Sequence, residues 1–309
     1  MTAVDPFAPT QPAPRVLRPA IFVTVYNDLR GTKSLPLLAR LAQHAAPGDL
    51  GACIHDPPSD DDAGLAREIK ARGLRLIYGW GVDPDTKRPV RDAAQITRRR
   101  ARLAADRGAE AIELNGEKAY KAPGLDALCH ELVQACHDGA PGLPVGWSYF
   151  DGPETHPMPA AEKVFGSGGV DYNAPQVYAE DPGAPGLEDH HDARRRWDRA
   201  VRQHEAMVRR GVYRPELVPG AAACATYAQL HGCTSACVAW LLDRAPVGRA
   251  WALPTRCDEE GLRGVEAVLI ARREHGTAPS AVARWQLAHD LEADGIVGAA
   301  TLRALGLAP

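Results

Sequence analysis

Residues 20 to 34, AIFVTVYNDLRGTKS, decide between two ways of building an α/β chain. The run opens as a β-branched strand over 20 to 26 and passes into the helical pattern SLPLLARLAQHA. A dinucleotide-binding doubly wound sheet needs a G-x-G-x-x-G turn here, so that backbone can approach a pyrophosphate, and YNDLRGTKS does not supply one. Working outward, further strand-like runs are LGACIH (50 to 55), LRLIYGW (74 to 80), AEAIEL (109 to 114), PVGWSYF (144 to 150), DYNAPQVY (171 to 178), ELVPGA (216 to 221) and GRAWAL (248 to 253). Between them lie the amphipathic segments DAGLAREIKARG, AAQITRRRARLAADRG, LDALCHELVQACHDG, RRRWDRAVRQHEAMVRRG, TYAQLHGCTSACVAWLLDRA and EGLRGVEAVLIARREHG, several closing on Gly after a basic last turn. Only the weak helix AAEKVF links the fifth run to the sixth. Eight βα repeats between residues 17 and 275 predict an α/β TIM (β/α)8 barrel, a fold of about 250 residues that forms one domain.

Composition excludes several classes of function. Of the 309 residues, 45% are hydrophobic and 24% charged, and the net charge of -3 gives no electrostatic reason to expect a nucleic-acid partner or an anionic membrane. No run approaches the roughly 18 apolar residues of a membrane span. The first 19 residues lack a charged n-region and an apolar h-region, so no Sec signal is read there. Prolines at 6, 9, 12, 14 and 19 predict an extended arm over residues 1 to 16. The expectation is a monomer made in the cytoplasm, acting elsewhere after release or delivery. Seven cysteines without a C-x-x-C pair argue for reduced thiols, with Cys233 and Cys237 on one helix and Cys129 and Cys136 on another. The triplet HHD at 190 to 192 precedes a basic surface helix, and neither a metal nor a cofactor is expected.

In a barrel, chemistry sits at the C-terminal ends of the strands, and period-two alternation selects the side chains that point inward. On the first strand Thr24, Tyr26 and Asp28 share a face opposite Val23 and Val25. On the fourth, AIELNGEKAY puts Glu113, Asn115 and Glu117 opposite Ile112 and Leu114. Other strand ends add Tyr78 and Trp80, Trp147, Tyr149 and Asp151, Gln176 and Tyr178, and Trp251. Aromatic rings stack on sugar C–H faces while carboxylates and amides take the hydroxyls, so an acidic aromatic cup suits a carbohydrate. A single Asp such as Asp28 or Asp83 is equally a helix cap or a solvated charge. Glu113 is harder to dismiss, because an inward carboxylate on a central strand costs several kcal/mol unless paired or functional. No G-x-S-x-G elbow, Walker loop or H-E-x-x-H competes with this constellation.

After His275 the chain changes character. Val282, Trp285 and Gln286 on one helix, then Leu291, Asp294, Gly295, Ile296, Val297, Gly298 and Thr301 leading into a last helix, resemble the second half of the peptidoglycan-binding repeat domain of cell-wall lytic enzymes. Ala299 stands where that family usually has Pro. Residues 276 to 309 are read as a partial module, a helical hairpin with its turn at Asp294-Gly295 and with Leu302 and Leu305 packed back on Trp285. A pair of tail helices docked on the barrel is the alternative to a sugar-binding module.

The runs ELNGEKAYK, SYFDGPETHPMP and DYNAPQVY resemble the glycoside-hydrolase-like TIM-barrel domains of phage and bacterial cell-wall lysins, over most of residues 17 to 275. The resemblance implies a hydrolase of peptidoglycan or a related N-acetylated glycan, of muramidase or N-acetylglucosaminidase type. It implies Glu113 and Glu117 as acids, with Asn115, Tyr149, His156, Gln176 and Tyr178 around the sugar; the strand-end alternation adds Tyr26, Trp80 and Trp251 as aromatics of the cup. Barrel muramidases carry D-x-E on strand four, where this chain has Glu113 and Asn115, so their mechanism does not transfer directly.

Glycoside hydrolysis needs an acid for the leaving oxygen and usually a second carboxylate. Positions 113 and 117 lie about 13 Å apart if extended at roughly 3.3 Å per residue, too far for a catalytic pair unless Gly116 folds the loop back. Otherwise the partner is Asp151 or Asp28. Glu117 at the rim is the expected general acid, raised in pKa by Glu113 below it. Substrate assistance by an N-acetyl group oriented by Asn115 and Tyr178 would need only one acid. A non-catalytic glycan-binding or structural component of a phage or tail-like particle is the competing function. A lyase or aldolase barrel lacks a Schiff-base lysine at a strand end, Lys118 being the nearest.

Overall fold

The computed structural model of the chain describes residues 17–25, 34–55, 58–59, 62–81, 92–115, 126–150, 170–176, 197–198, 201–202, 205–206, 209, 225–229, 234–244, 247–251, 259–277 and 280–307. Within them the strands are β1 (Ala20–Val25), β2 (Leu50–Ile54), β3 (Arg75–Gly81), β4 (Ala111–Asn115), β5 (Val145–Phe150), β6 (Tyr172–Gln176), β7 (Ala225–Gln229) and β8 (Val247–Trp251). The helices are α1 (Ser34–Ala42), α2 (Ala63–Ala71), α3 (Ala93–Asp106), α4 (Asp126–Gly139), α5 (Ser235–Leu242), α6 (Glu259–His275), α7 (Ala281–Ala288) and α8 (Ala299–Ala304). The strands form one sheet in the order β6-β5-β4-β3-β2-β1-β8-β7, every ladder parallel. The sheet curls until its two outer strands, β6 and β7, stand against each other.

Strand register sorts the side chains into two layers. One row on each of β1 to β5 joins the helices in a continuous core, for example Ile21, Val23, Leu76, Ile112 and Leu114 with Leu65, Ile69, Ala101 and Val133. The alternate row makes a second, smaller core inside the curl: Ala20, Phe22, Cys53, Ile77, Ala111, Tyr172, Ala174 and Val247. On β1 to β5 the outer row is apolar, as expected of parallel strands covered by helices.

Glycines make room for rings in the inner core. A Cβ on Gly51 would lie 2.6 Å from the Phe22 ring, and one on Gly146 would lie 2.2 Å from the Tyr172 ring. Tyr172 donates its hydroxyl to the Ile112 carbonyl at 3.2 Å, which fixes that ring. Beneath them Arg75 seals the end of the curl where the strands begin. Its guanidinium reaches Glu110 at 2.7 Å and the carbonyls of Pro19 and Arg18 at 2.8 and 3.0 Å, and stacks over Phe22.

Two expected elements are corrected. The seventh strand is Ala225–Gln229, overlapping the first four residues of the stretch read as the helix TYAQLHGCTSACVAWLLDRA, while ELVPGA lies outside the described residues. The helix starts later, at Ser235, because Thr234 caps it by accepting the Cys237 N–H on its side-chain oxygen at 3.2 Å. Cys233 therefore precedes this helix and also lies outside the described residues, as do AAEKVF and HHD. Cys129 and Cys136 do lie buried on α4, and burial pushes the Cys136 thiol well up.

Candidate functional site

β4 carries the chemistry. Its alternation places Ala111, Glu113 and Asn115 on the inner row, with Ala111 at the level of the apolar plug and the two polar residues toward the strand's C-terminal end. Glu113 is 1% exposed and Asn115 7%. Register gives Glu113 Gly79 on one side and Gly146 on the other, and gives Asn115 Gly81 and Ser148. The carboxylate and the amide therefore stand in a row of minimal side chains. Thr24 shares the inner row across the curl, buried, with no hydrogen bond to its hydroxyl among the described residues. The inner face thus changes from apolar rings below to Thr24, Glu113, Asn115 and Ser148 above, where the strands end.

Trp80 is a correction. It pairs in register with Leu114 and is fully buried in the helix-side core, as are Tyr78 and Trp147. Alternation was right about which residues share a face, but on β3 and β5 the aromatic face is the outer one. Position 149 pairs with Pro175 in that same outer row, whereas 176 pairs with 150 and 251 pairs with Thr24 in the inner row. Of Tyr149, Gln176 and Trp251 only the backbone is described. Tyr26, Asp28, Glu117, Asp151, His156 and Tyr178 lie outside the described residues. Ser148, Gly79 and Gly81 were missed. The available signal was the small residues alternating with the aromatics in LIYGWG and VGWSYF.

A second ionic cluster lies behind β3, in the helix layer. Asp62 at the head of α2 is ion-paired with Arg107, which also donates to the Tyr78 hydroxyl at 3.4 Å. Burial pushes the Asp62 carboxyl up, with Arg107 opposing it. This cluster faces away from the inner row and joins α2, α3 and β3.

The tail docks at the other end of the sheet. α5 and α6 run back against the strands, so Asp243 and His275 lie where strands begin. There the Asp243 carboxylate accepts the N–H groups of Ala281 at 3.0 Å and Val282 at 3.2 Å, capping α7. Arg272, 2% exposed, donates to the Leu242 carbonyl at 2.6 Å beside it. Trp285 donates to Glu274 at 2.8 Å and stacks on His289 at 3.9 Å. Gln286 ties the hairpin together: its Nε2 reaches Asp294, Ile296 and Thr301, and its Oε1 accepts from the Gly295 N–H at 2.8 Å. Gly295 has φ +72°, the left-handed turn that a Cβ would strain. Val282, Trp285, Val297 and Leu302 join the same core as the helix layer.

Residues 279–305 match the peptidoglycan binding domain family. No curated protein matches the chain in sequence. Solved structures do match. The catalytic domain of a hyperthermophilic chitinase from Pyrococcus furiosus superposes with a TM-score of 0.57 at 12% identity, over 84% of this chain and 97% of that one. The GH18 chitinase of Flavobacterium johnsoniae gives 0.55 at 8% identity, over 82% and 94%. A spore cortex-lytic enzyme of Bacillus megaterium gives 0.46 at 12% identity, over 71% of this chain, which spans about half (52%) of that enzyme's length. At such identities the likeness is one of fold: an α/β chain with a curled parallel sheet, as in the two chitinases. Among the described residues no helix is long and apolar enough to cross a membrane.

Proposed function

We propose that this chain hydrolyses a glycosidic bond of peptidoglycan, or of a related N-acetylated glycan, by carboxylate acid/base catalysis at the C-terminal mouth of a closed (β/α)8 barrel. The observation that carries the reading is Glu113, a buried carboxylate held with Asn115 in the polar upper layer of the inner row. A fold shared with chitinases and a tail matching a peptidoglycan-binding family support the substrate. In this mechanism Glu117 at the rim protonates the leaving oxygen, and Glu113 below it sets its pKa. Asp151 or Asp28 supplies the second carboxylate, or the substrate's own acetamido group replaces it, oriented by Asn115 and Tyr178. Tyr26, His156, Gln176 and Trp251 complete the sugar-binding cup; Tyr149 is not counted among them, because its register position falls in the outer row. The protein acts at the cell wall after release or delivery, in the manner of an endolysin.

Purified peptidoglycan is digested with the parent and with Glu113→Gln and Glu117→Gln, and new reducing ends are identified by mass spectrometry. The parent is expected to release soluble muropeptides with either muramic acid or glucosamine at the new end, and both variants to be slowed at least a hundredfold. Parental rates in both variants would sink the mechanism. One observation favours a second reading: among the described residues Glu113 is the only carboxylate on the inner row. A cup that holds glycan without cutting it, in a phage or tail-like particle, would co-sediment with peptidoglycan and release no reducing sugar.

A further inference from the structure

β2 carries its ladder one residue past Ile54. The His55 N–H donates to the Val25 carbonyl at 2.9 Å, the bond that a parallel pairing of Val25 with Ile54 asks of the next residue. Alternation therefore continues through it. Leu50, Ala52 and Ile54 face the helices and Cys53 belongs to the inner core, so His55 falls on the inner row above Cys53. The β2–β3 register, Cys53 with Ile77 and Ile54 with Tyr78, sets His55 level with Gly79, and Gly79 pairs with Glu113. His55 and Glu113 thus flank a residue without a side chain, about 10 Å apart at the backbone by two ladder spacings of roughly 4.8 Å. His55 is half-buried and its Nδ1 is covered.

We infer that His55 is a positioning residue of the site: its imidazolium pairs with Glu113 across Gly79 and holds that carboxylate ionised and in place. Burial disfavours the charged form of a carboxyl group, and an opposite charge within about 4–6 Å favours it. Side chains of this length on the concave face of one curl close the backbone gap to that range. Among the described residues no other side chain of the upper inner row on β1 to β5 can carry a positive charge. β1 has no charged residue, and Arg75 of β3 is level with Gly51 at the sealed end, bound to Glu110. On the outer side of β2, Asp62 is paired with Arg107 and Arg40 of α1 with Glu266, while Arg67, Glu68 and Lys70 of α2 are exposed. Histidine changes its charge near neutral pH, so the pair makes the site sensitive to protons. The role in turnover rests on the glycan-hydrolase reading; the pairing itself does not.

The test records imidazole titrations by NMR on the full chain, as parent and as Glu113→Gln, with the His55 signal assigned by its loss in His55→Gln and thermal melts to verify folding. Removing the carboxylate is expected to lower the His55 pKa by at least about half a unit, because the imidazolium loses its counter-charge. The reciprocal shift is read from Glu113: its carboxyl titration is expected to rise by a similar amount in His55→Gln, and that measurement decides if Glu113→Gln does not fold. On peptidoglycan the acidic limb of the kcat/KM profile is expected to move to higher pH in His55→Gln by the same amount. A histidine that only packs would lower the melting temperature and leave titrations and limb in place, which overturns the inference. Shifted titrations with an unmoved limb overturn the positioning role and leave the hydrolase reading standing. If the parent cuts no peptidoglycan, the hydrolase reading falls, and the two titrations alone decide the pairing.

Discussion

Asp243 holds Ala281 by its backbone: the carboxylate at the end of α5 accepts that N–H at 3.0 Å and thereby caps the first helix of the tail. Arg272 stands beside it, buried. Removing the carboxylate leaves two helix N–H groups unmet and takes from Arg272 one of its two acidic neighbours, Asp49 being the other, which costs about 1–3 kcal/mol. Asp243→Ala is therefore expected to lower the urea midpoint strongly. Asp243→Asn, which keeps one acceptor oxygen, should lower it less.

The same residue gives the chain a pH dependence with a definite sign. Burial pushes the Asp243 carboxyl up to about 6 against the favourable influence of Arg272 and the two N–H groups. The folded state then binds this proton more tightly than the unfolded state does. Stability from this group is fully present below a pH of about 4 and is lost as pH rises through about 6. The span corresponds to about 3 kcal/mol, read as an order of magnitude. Thermal melts from pH 4 to pH 7 should show this fall in the parent, and a shallower one in Asp243→Asn. Identical slopes in the two proteins would refute the assignment.

Tyr172 lies where a Gly146 side chain would be, 2.2 Å from an added Cβ. Its hydroxyl is anchored on Ile112, so the ring cannot swing aside without losing that bond. Gly146→Ala should destabilise by about 1–3 kcal/mol through overpacking. Adding Tyr172→Val should cost less than the sum of the single changes, and a double-mutant cycle in urea measures that coupling. Strict additivity would mean the two positions do not share space.

The parts legible in the sequence were those with one unambiguous period. AIELN alternates apolar with polar, and only one of its two faces tolerates burial against helices, so the inward placement of Glu113 and Asn115 followed. β3 and β5 alternate large aromatics with glycine or serine, and both faces are buried, so alternation alone does not say which points inward. The narrow interior decides it: little room remains beside Phe22 and Tyr172, and Trp80 and Trp147 go to the roomier helix layer. The β7 error has a similar cause. ACATYAQ carries a strand's residues but abuts a long helical pattern, and the break between them is one capping threonine, Thr234.

Trp285, Val282 and Leu302 share a core with the helices that cover the curled sheet, and the tail is capped from outside itself. A segment of this size cannot bury enough surface to fold alone. Residues 276 to 309 as a peptide are expected to give a coil circular-dichroism spectrum. The full chain should show one calorimetric transition with equal calorimetric and van't Hoff enthalpies. Two resolved transitions would mean that the tail is an independent module after all.

Glu113 separates stability from activity. Glu113 is a carboxylate buried in the upper layer of the inner row, and burying a charge costs free energy that a neutral amide of the same shape does not incur in full. Where a polar group is kept for chemistry, replacing it by a neutral isostere typically raises stability while removing function. Glu113→Gln is therefore expected to unfold at a urea midpoint equal to or above the parent's, while glycan hydrolysis falls by at least a hundredfold, about 3 kcal/mol of transition-state stabilisation. A purely structural carboxylate would give the reverse: a lower midpoint with hydrolysis per folded molecule unchanged. Measuring both quantities on one preparation distinguishes the two, because loss of folded protein cannot by itself produce inactivity at an undiminished midpoint.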